Sequence, residues 1–263
     1  MALNNQFSRS LIPDFQMEAA KEAVKNHTQY IVTMQNPDIG TAEETVWQYG
    51  GVYTYLTDPA GTELFVSCAS AADTGQVLQI TGLLSAESVR VDTVFAGTNG
   101  QTAASIGSWY RIFGVRALLP TELQDDLYIA EADTIVAGVP ATPSKVKLAI
   151  IFDTSLGRSP NTANTAGFTP PPGFFALIRK IRFSGHKGKT VTYNTLIRPN
   201  QGTSIVPWQD SAPWEVYETN SLLDFAGIIV DELWDIEVRA HADGPNAQVV
   251  AILDILLIRK DET

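Results

Sequence analysis

The chain has 263 residues, 44% hydrophobic and 18% charged, which places it with folded proteins and allows one large or two modest cores. Eighteen basic residues stand against 29 acidic ones, a net charge of −11 that disfavours nonspecific nucleic-acid binding. A single cysteine, Cys68, excludes an internal disulfide framework and a cysteine-rich zinc site, and His27, His186 and His241 are too scattered for a ligand cluster.

Residues 1 to about 44 read as an arm. Its opening, MALNNQFSRSLIPDF, has no apolar core behind a basic start, so no secretory signal is expected. Pro13-Asp14 is placed to start a short helix, in which Glu18, Lys21, Glu22 and Lys25 form charge pairs. Met17, Ala20 and Val24 then share one narrow apolar stripe, too thin to hold a domain and suited to docking, either on this chain or on another.

From Val46 onward, β-branched and aromatic runs alternate with turn clusters at the spacing of sandwiches and barrels. Strands are expected over Val52–Leu56, Leu64–Cys68 and Val89–Phe95. Gly50-Gly51, Asp58-Pro59-Ala60-Gly61, Asp73-Thr74-Gly75 and Gly97-Thr98-Asn99-Gly100 act as punctuation. One helical turn is expected near Leu119–Glu122, and a proline-marked linker near Gly138–Pro143. Further strands are expected at Val146–Phe152, Phe174–Phe183, Val191–Arg198, Ile236–Ala240 and Val249–Ile258, with a long loop over 154–173. The closing run is interrupted by Asp254 and is about half the ~20 residues of a membrane-spanning helix. The expected fold class is all-β: an N-terminal arm with a short helix (1–44), a first β-sandwich domain (45–143) and a second, jelly-roll-like sandwich domain (144–263).

Charge is unevenly spread. No acidic residue lies between Asp153 and Asp210, and that interval holds Arg158, Arg179, Lys180, Arg182, Lys187, Lys189 and Arg198. This basic band reads either as solvated strand faces or as a docking surface for an acidic partner.

No catalytic constellation survives inspection. Gly188-Lys189-Thr190 lacks the glycine a phosphate loop needs five positions before Gly188, where Phe183 stands. Asp73-Thr74-Gly75 and Asp153-Thr154-Ser155 do not make an aspartic-protease pair, since the second lacks the glycine. There is no G-x-S-x-G elbow and no H-E-x-x-H helix. Cys68 in an apolar strand reads as an inert buried thiol. Asp231, Glu232, Asp235, Glu237 and Asp243 lack calcium-loop spacing and read mostly as a solvent face, with a glycosidase-type carboxylate pair as the alternative. Trp208 and Trp214, flanked by Pro207 and Pro213, suit a capping role, a protein interface or a sugar platform.

The segment Val46-Trp47-Gln48-Tyr49-Gly50-Gly51-Val52-Tyr53 resembles the VW-x-x-GG-x-Y opening of a family of virion structural proteins of tailed, often marine, bacteriophages. Ala72-Asp73-Thr74-Gly75 and Ile80-Thr81-Gly82-Leu83 are similar to that family's next two motifs. So are Pro172-Gly173, Ala176, Ile178, Ile181, Phe183-Ser184, Lys187 with Lys189, Arg198-Pro199 and the closing Asp235–Ala240. The family's longer Gly/Thr-rich turn after Asp-Thr is missing, because Gly75 leads directly into Gln76-Val77. The resemblance spans residue 46 to the C-terminus. It implies a non-enzymatic particle component without cofactors, most simply a capsid decoration or cement protein. Such a protein is a homo-oligomer, with a trimer favoured, bound to the major capsid protein on the capsid surface of a virion assembled in the host cytoplasm. No membrane and no direct nucleic-acid contact is expected. A tail or neck component, or a carbohydrate-binding receptor module, is the alternative. The candidate interface residues are Arg179, Lys180, Arg182, Lys187, Lys189, Trp208 and Trp214.

Overall fold

The computed structural model describes residues 27–88, 90–118, 122–152, 162–164, 166–185, 188–198, 209–210, 214–217 and 221–260. The chain opens with β1 (His27–Ile39) and β2 (Glu44–Thr45), then β3 (Thr62–Cys68), β4 (Val77–Leu83), β5 (Val91–Ala96), β6 (Ala104–Trp109) and β7 (Arg111–Leu118). Next come β8 (Leu127–Glu131), β9 (Ile135–Val136), β10 (Val139–Pro140), β11 (Val146–Ile150), β12 (Thr162–Asn164) and β13 (Gly167–Phe168). The chain closes with β14 (Phe174–Ser184), β15 (Thr190–Arg198), β16 (Gln209–Asp210), β17 (Trp214–Tyr217), β18 (Ser221–Val230), β19 (Asp235–Ala242) and β20 (Ala247–Arg259). The helical elements among the described residues are two three-residue 3-10 turns, Ala71–Asp73 and Pro143–Lys145. No described helix is long and apolar enough to cross a membrane.

The fold is all-β and antiparallel. One group of strands pairs β11-β8-β3-β6 and β12-β7-β4-β5, and these two sheets supply a common core that includes Leu64, Val66, Cys68, Leu78, Ile80, Trp109 and Leu127. The other group pairs β1-β20-β14-β18 and β13-β19-β15 with β2, β16 and β17. Its core includes Met34, Ile178, Ile181, Phe183, Tyr193, Val238 and Leu253. Strand alternation explains which side chains enter. On β14, Ile178, Ile181 and Phe183 are buried while Arg182 is exposed, and on β20 Val249, Ala251, Leu253 and Ile255 point inward. A register shift between Ile178 and Lys180 inserts Arg179 as an extra residue, so Ile178 and Ile181, three positions apart, share one face.

The pairing cuts across the expected boundaries at 44 and 143. Residues 27–39, read as part of the arm, form β1 and pair along β20 in the second group. Val146–Ile150 and Thr162–Asn164 pair with β8 and β7, so the first group runs on to Asn164. The expected linker at 138–143 contains the second half of a tight hairpin, β9–β10. There Gly138 has φ +83°, and a Cβ would stand 2.0 Å from the Cys68 carbonyl oxygen. The expected helix over 13–26 and the turn at 119–121 lie outside the described residues, while 122–126 hold no helix.

The Val52–Leu56 strand is replaced by an extended segment that joins no sheet, although Tyr53 and Tyr55 are buried as their alternation requires. Its backbone is satisfied by side chains. Thr45 Oγ1 accepts from the Tyr53 amide, Lys147 Nζ donates to the Thr54 carbonyl, and Arg111 Nη1 donates to the Leu56 carbonyl. Cys68 is fully buried, and burial pushes its thiol up to about 12. The native chain is therefore expected to resist iodoacetamide at pH 8 and to be labelled at one site in denaturant, as read by intact mass. Labelling of the native chain would contradict the packing of β3.

Candidate interface and the joint behind it

The expected interface residues separate into three sets. Arg179 is half-buried and donates through Nη2 to both oxygens of Asp254 on β20, at 2.8 and 2.7 Å. Gln29 on β1 donates to the same carboxylate at 3.0 Å, so Arg179 is committed within its own sheet. Lys180 and Arg182 lie on the outward side of β14, opposite Asp254 and Ile252 of β20 in register. Arg182 is exposed, and Lys189 is half-buried in the turn before β15. Trp214 begins β17 opposite Tyr193, while Lys187, Trp208 and Arg158 lie outside the described residues.

Arg198, a further member of the basic band, faces inward. Its Nη2 lies 3.0 Å from Asp235 Oδ2, and its guanidinium stacks 4.8 Å from the Tyr55 ring centroid. Asp235 is fully buried, which corrects the solvent-face reading of the acidic group around it. Arg111 of the first group holds it from the other side, Nε to Oδ1 at 2.9 Å and Nη2 to Oδ2 at 3.0 Å. Thr169 donates to Oδ1 at 2.7 Å. Arg111 Nη1 caps the Leu56 and Tyr110 carbonyls, so the pair is well satisfied by hydrogen bonds, as a buried ion pair must be.

Glu237, two residues along β19 on the same face, is also fully buried. Its Oε1 accepts from Thr45 Oγ1 at 2.5 Å and Arg239 Nε at 2.8 Å, and burial raises its pKa against the pull of Arg239. Lys147 lies in the same layer. Burial lowers its pKa, opposed by Glu131 at 2.7 Å. Edge-to-face contacts among Trp47, Tyr49, Tyr53, Tyr55 and Tyr128 fill the space between the groups. At the other end, Arg90 stacks 4.4 Å over Tyr30, and Phe113 packs on Phe168 at 5.5 Å. Asn164 Nδ2 donates to the Thr33 carbonyl of β1 at 3.1 Å.

Two of the resemblance motifs thus meet in space. The segment opening at Val46 lies against the Asp235–Ala240 strand, with the Val46 amide bonded to the Val238 carbonyl at 2.9 Å. Sequence reasoning missed this joint because Arg111 and Asp235 are 124 positions apart. The one available signal was period-2 placement of Asp235, Glu237 and Arg239, which marks a single strand face without saying what covers it.

One surface depression of about 140 Å³ is lined by Gln79, Thr81, Gly114, Arg116, Thr162 and Asn164. Among the described residues no group of three or more His, Cys, Asp or Glu is placed to hold a metal ion.

No protein-family model and no curated protein matches the chain. Among solved structures, that of infectious bursal disease virus Gt strain is similar at 10% identity and a TM-score of 0.24, covering 96% of this chain and 79% of that one. The infectious bursal disease virus VP2 subviral particle gives 10% identity and 0.24 over 95% and 79%, and the T=1 particles derived from that virus give 10% and 0.23 over 96% and 76%. Identity and TM-score at these values establish neither a shared fold nor a shared role.

Proposed function

We propose that this protein is a structural component of a virion, and more specifically a decoration or cement protein on the shell of a tailed bacteriophage. The observation that supports it most is the joint. Two groups of β-sheets, each read here as a sandwich, are locked by Arg111, Asp235, Arg198 and Thr169 into one block whose buried charges are spent on holding it together. A block of this kind works by contact area and stiffness. The resemblance from residue 46 to the C-terminus leads to the same role, with the major capsid protein and further copies of this chain as partners, and with the virion surface as its location.

The test uses purified chain and particles lacking it, pelleted together. The chain is expected to sediment with the particles and to saturate at a fixed ratio to the shell protein. A chain that stays in the supernatant at all concentrations would overturn the reading.

A further inference from the structure

The sheet β1-β20-β14-β18 packs one face on the second core through Met34, Ile178, Leu253 and Ile255. Alternation turns Gln29, Leu256, Leu177 and Ile229 to the other face, where the register sets them in one row across all four strands. In the next row, where β1 begins at His27, Ile258 and Phe175 stand opposite each other. An antiparallel sheet resting on a core usually gives its outer face to polar side chains. Here one end of that face is aliphatic and aromatic, and Ile229 within it is 66% exposed. The other end carries Lys180, Arg182 and Ser184 on β14. An apolar patch of this kind marks a surface that something covers.

Chain connectivity names the cover. Residues 1–26 lead into β1 at His27, and His27 pairs with Ile258, so they join the sheet at its apolar end. Within them, Pro13-Asp14 is placed to start a helix and Lys25 to end it. Asn26 then tolerates the left-handed turn that brings such a helix back over the sheet. A helix over 14–25 is ~18 Å long, and four strands span ~14 Å from first to last, so it reaches across the whole row. Its stripe of Met17, Ala20 and Val24 is too thin to make a core and narrow enough, with Ala20 at the centre, to lie close on a flat face. A direct tether of this length favours the sheet of the same chain over that of a second copy.

We propose that residues 14–25 dock as a helix across the outer face of the β1-β20-β14-β18 sheet of their own chain, with Val24 nearest β1 and Met17 towards Ile229. This goes beyond a role on the shell, since the cover belongs to the free chain. Arg182, at the other end of the face, stays outside the cover.

The test uses the full chain carrying Ile229→Cys, whose thiol reports on the face, while native Cys68 is buried and reports on the body. Iodoacetamide labelling under native conditions is followed by intact mass. Adding Met17→Asp/Val24→Asp puts charge into the stripe and is expected to speed labelling about tenfold or more at one site, because an unpaired carboxylate disfavours an apolar contact. Met17→Leu/Val24→Ile is expected to keep the slow rate. A dilution of about a hundredfold is expected to leave the slow rate unchanged, as for a contact within one chain. Equal rates with and without the aspartates would overturn the proposal. So would protection lost on dilution, which would give the cover to a second copy. A second label in the aspartate variant would show that Cys68 has opened, and would overturn the assignment of the segment to the outer face.

Discussion

Asp235→Ala is expected to lower the stability of the chain by about 3–5 kcal/mol, because it leaves the Arg111 guanidinium buried without its carboxylate. Arg111 is 4% exposed, so water cannot replace the lost partner. Arg198 loses an ion pair at the same time, and Thr169 loses its acceptor. The loss falls on the joint, since the cores of both groups remain filled. Urea unfolding followed by tryptophan fluorescence checks the magnitude. Differential scanning calorimetry checks the location, with one cooperative transition expected for wild type and a split one for the variant. A cost within about 1 kcal/mol, the range of a surface pair, would mean that the joint is hydrated and does not couple the groups.

Phe183→Ala is the second large effect, again about 3–5 kcal/mol. Phe183 is fully buried on β14 and stacks on Tyr193 of β15 with ring centroids 4.4 Å apart. It therefore bridges the two sheets of the second group across their shared core. The Tyr193 hydroxyl donates to the Ser184 carbonyl at 2.6 Å, which fixes its ring and limits how far the cavity can collapse. Because the joint couples the two groups, one transition at a lower midpoint is expected, in contrast to the split profile of Asp235→Ala. A small cost would show that β14 and β15 repack freely, against the stacked geometry.

These two variants also mark what could be read from the sequence. Phe183 sits in a strand whose alternation announces its inward face, and the strands at β14, β15, β19 and β20 were all expected. Asp235 sits in a strand just as legible, but its side chain points at a surface that only the folded chain supplies. The same holds for Arg198 and Arg179, whose partners lie 37 and 75 positions away. A count of basic residues cannot separate such committed cations from the exposed Arg182. β1 escaped because its sequence, HTQYIVTMQNPDI, is half polar. Its outward Gln29 and its buried Asn36 find partners in Asp254 and the Thr45 carbonyl, contacts that no local pattern encodes. Tyr53 and Tyr55 gave the right faces and the wrong element, since cationic side chains supply the bonds that a neighbouring strand would have made.

Copy number per purified particle, measured by calibrated mass spectrometry against the major shell protein, tests the functional account most directly. A count comparable to the shell protein is the predicted result, because a decoration protein repeats with the lattice it binds. A count of a few copies, matching the symmetry of a tail or neck ring, would contradict a role on the shell.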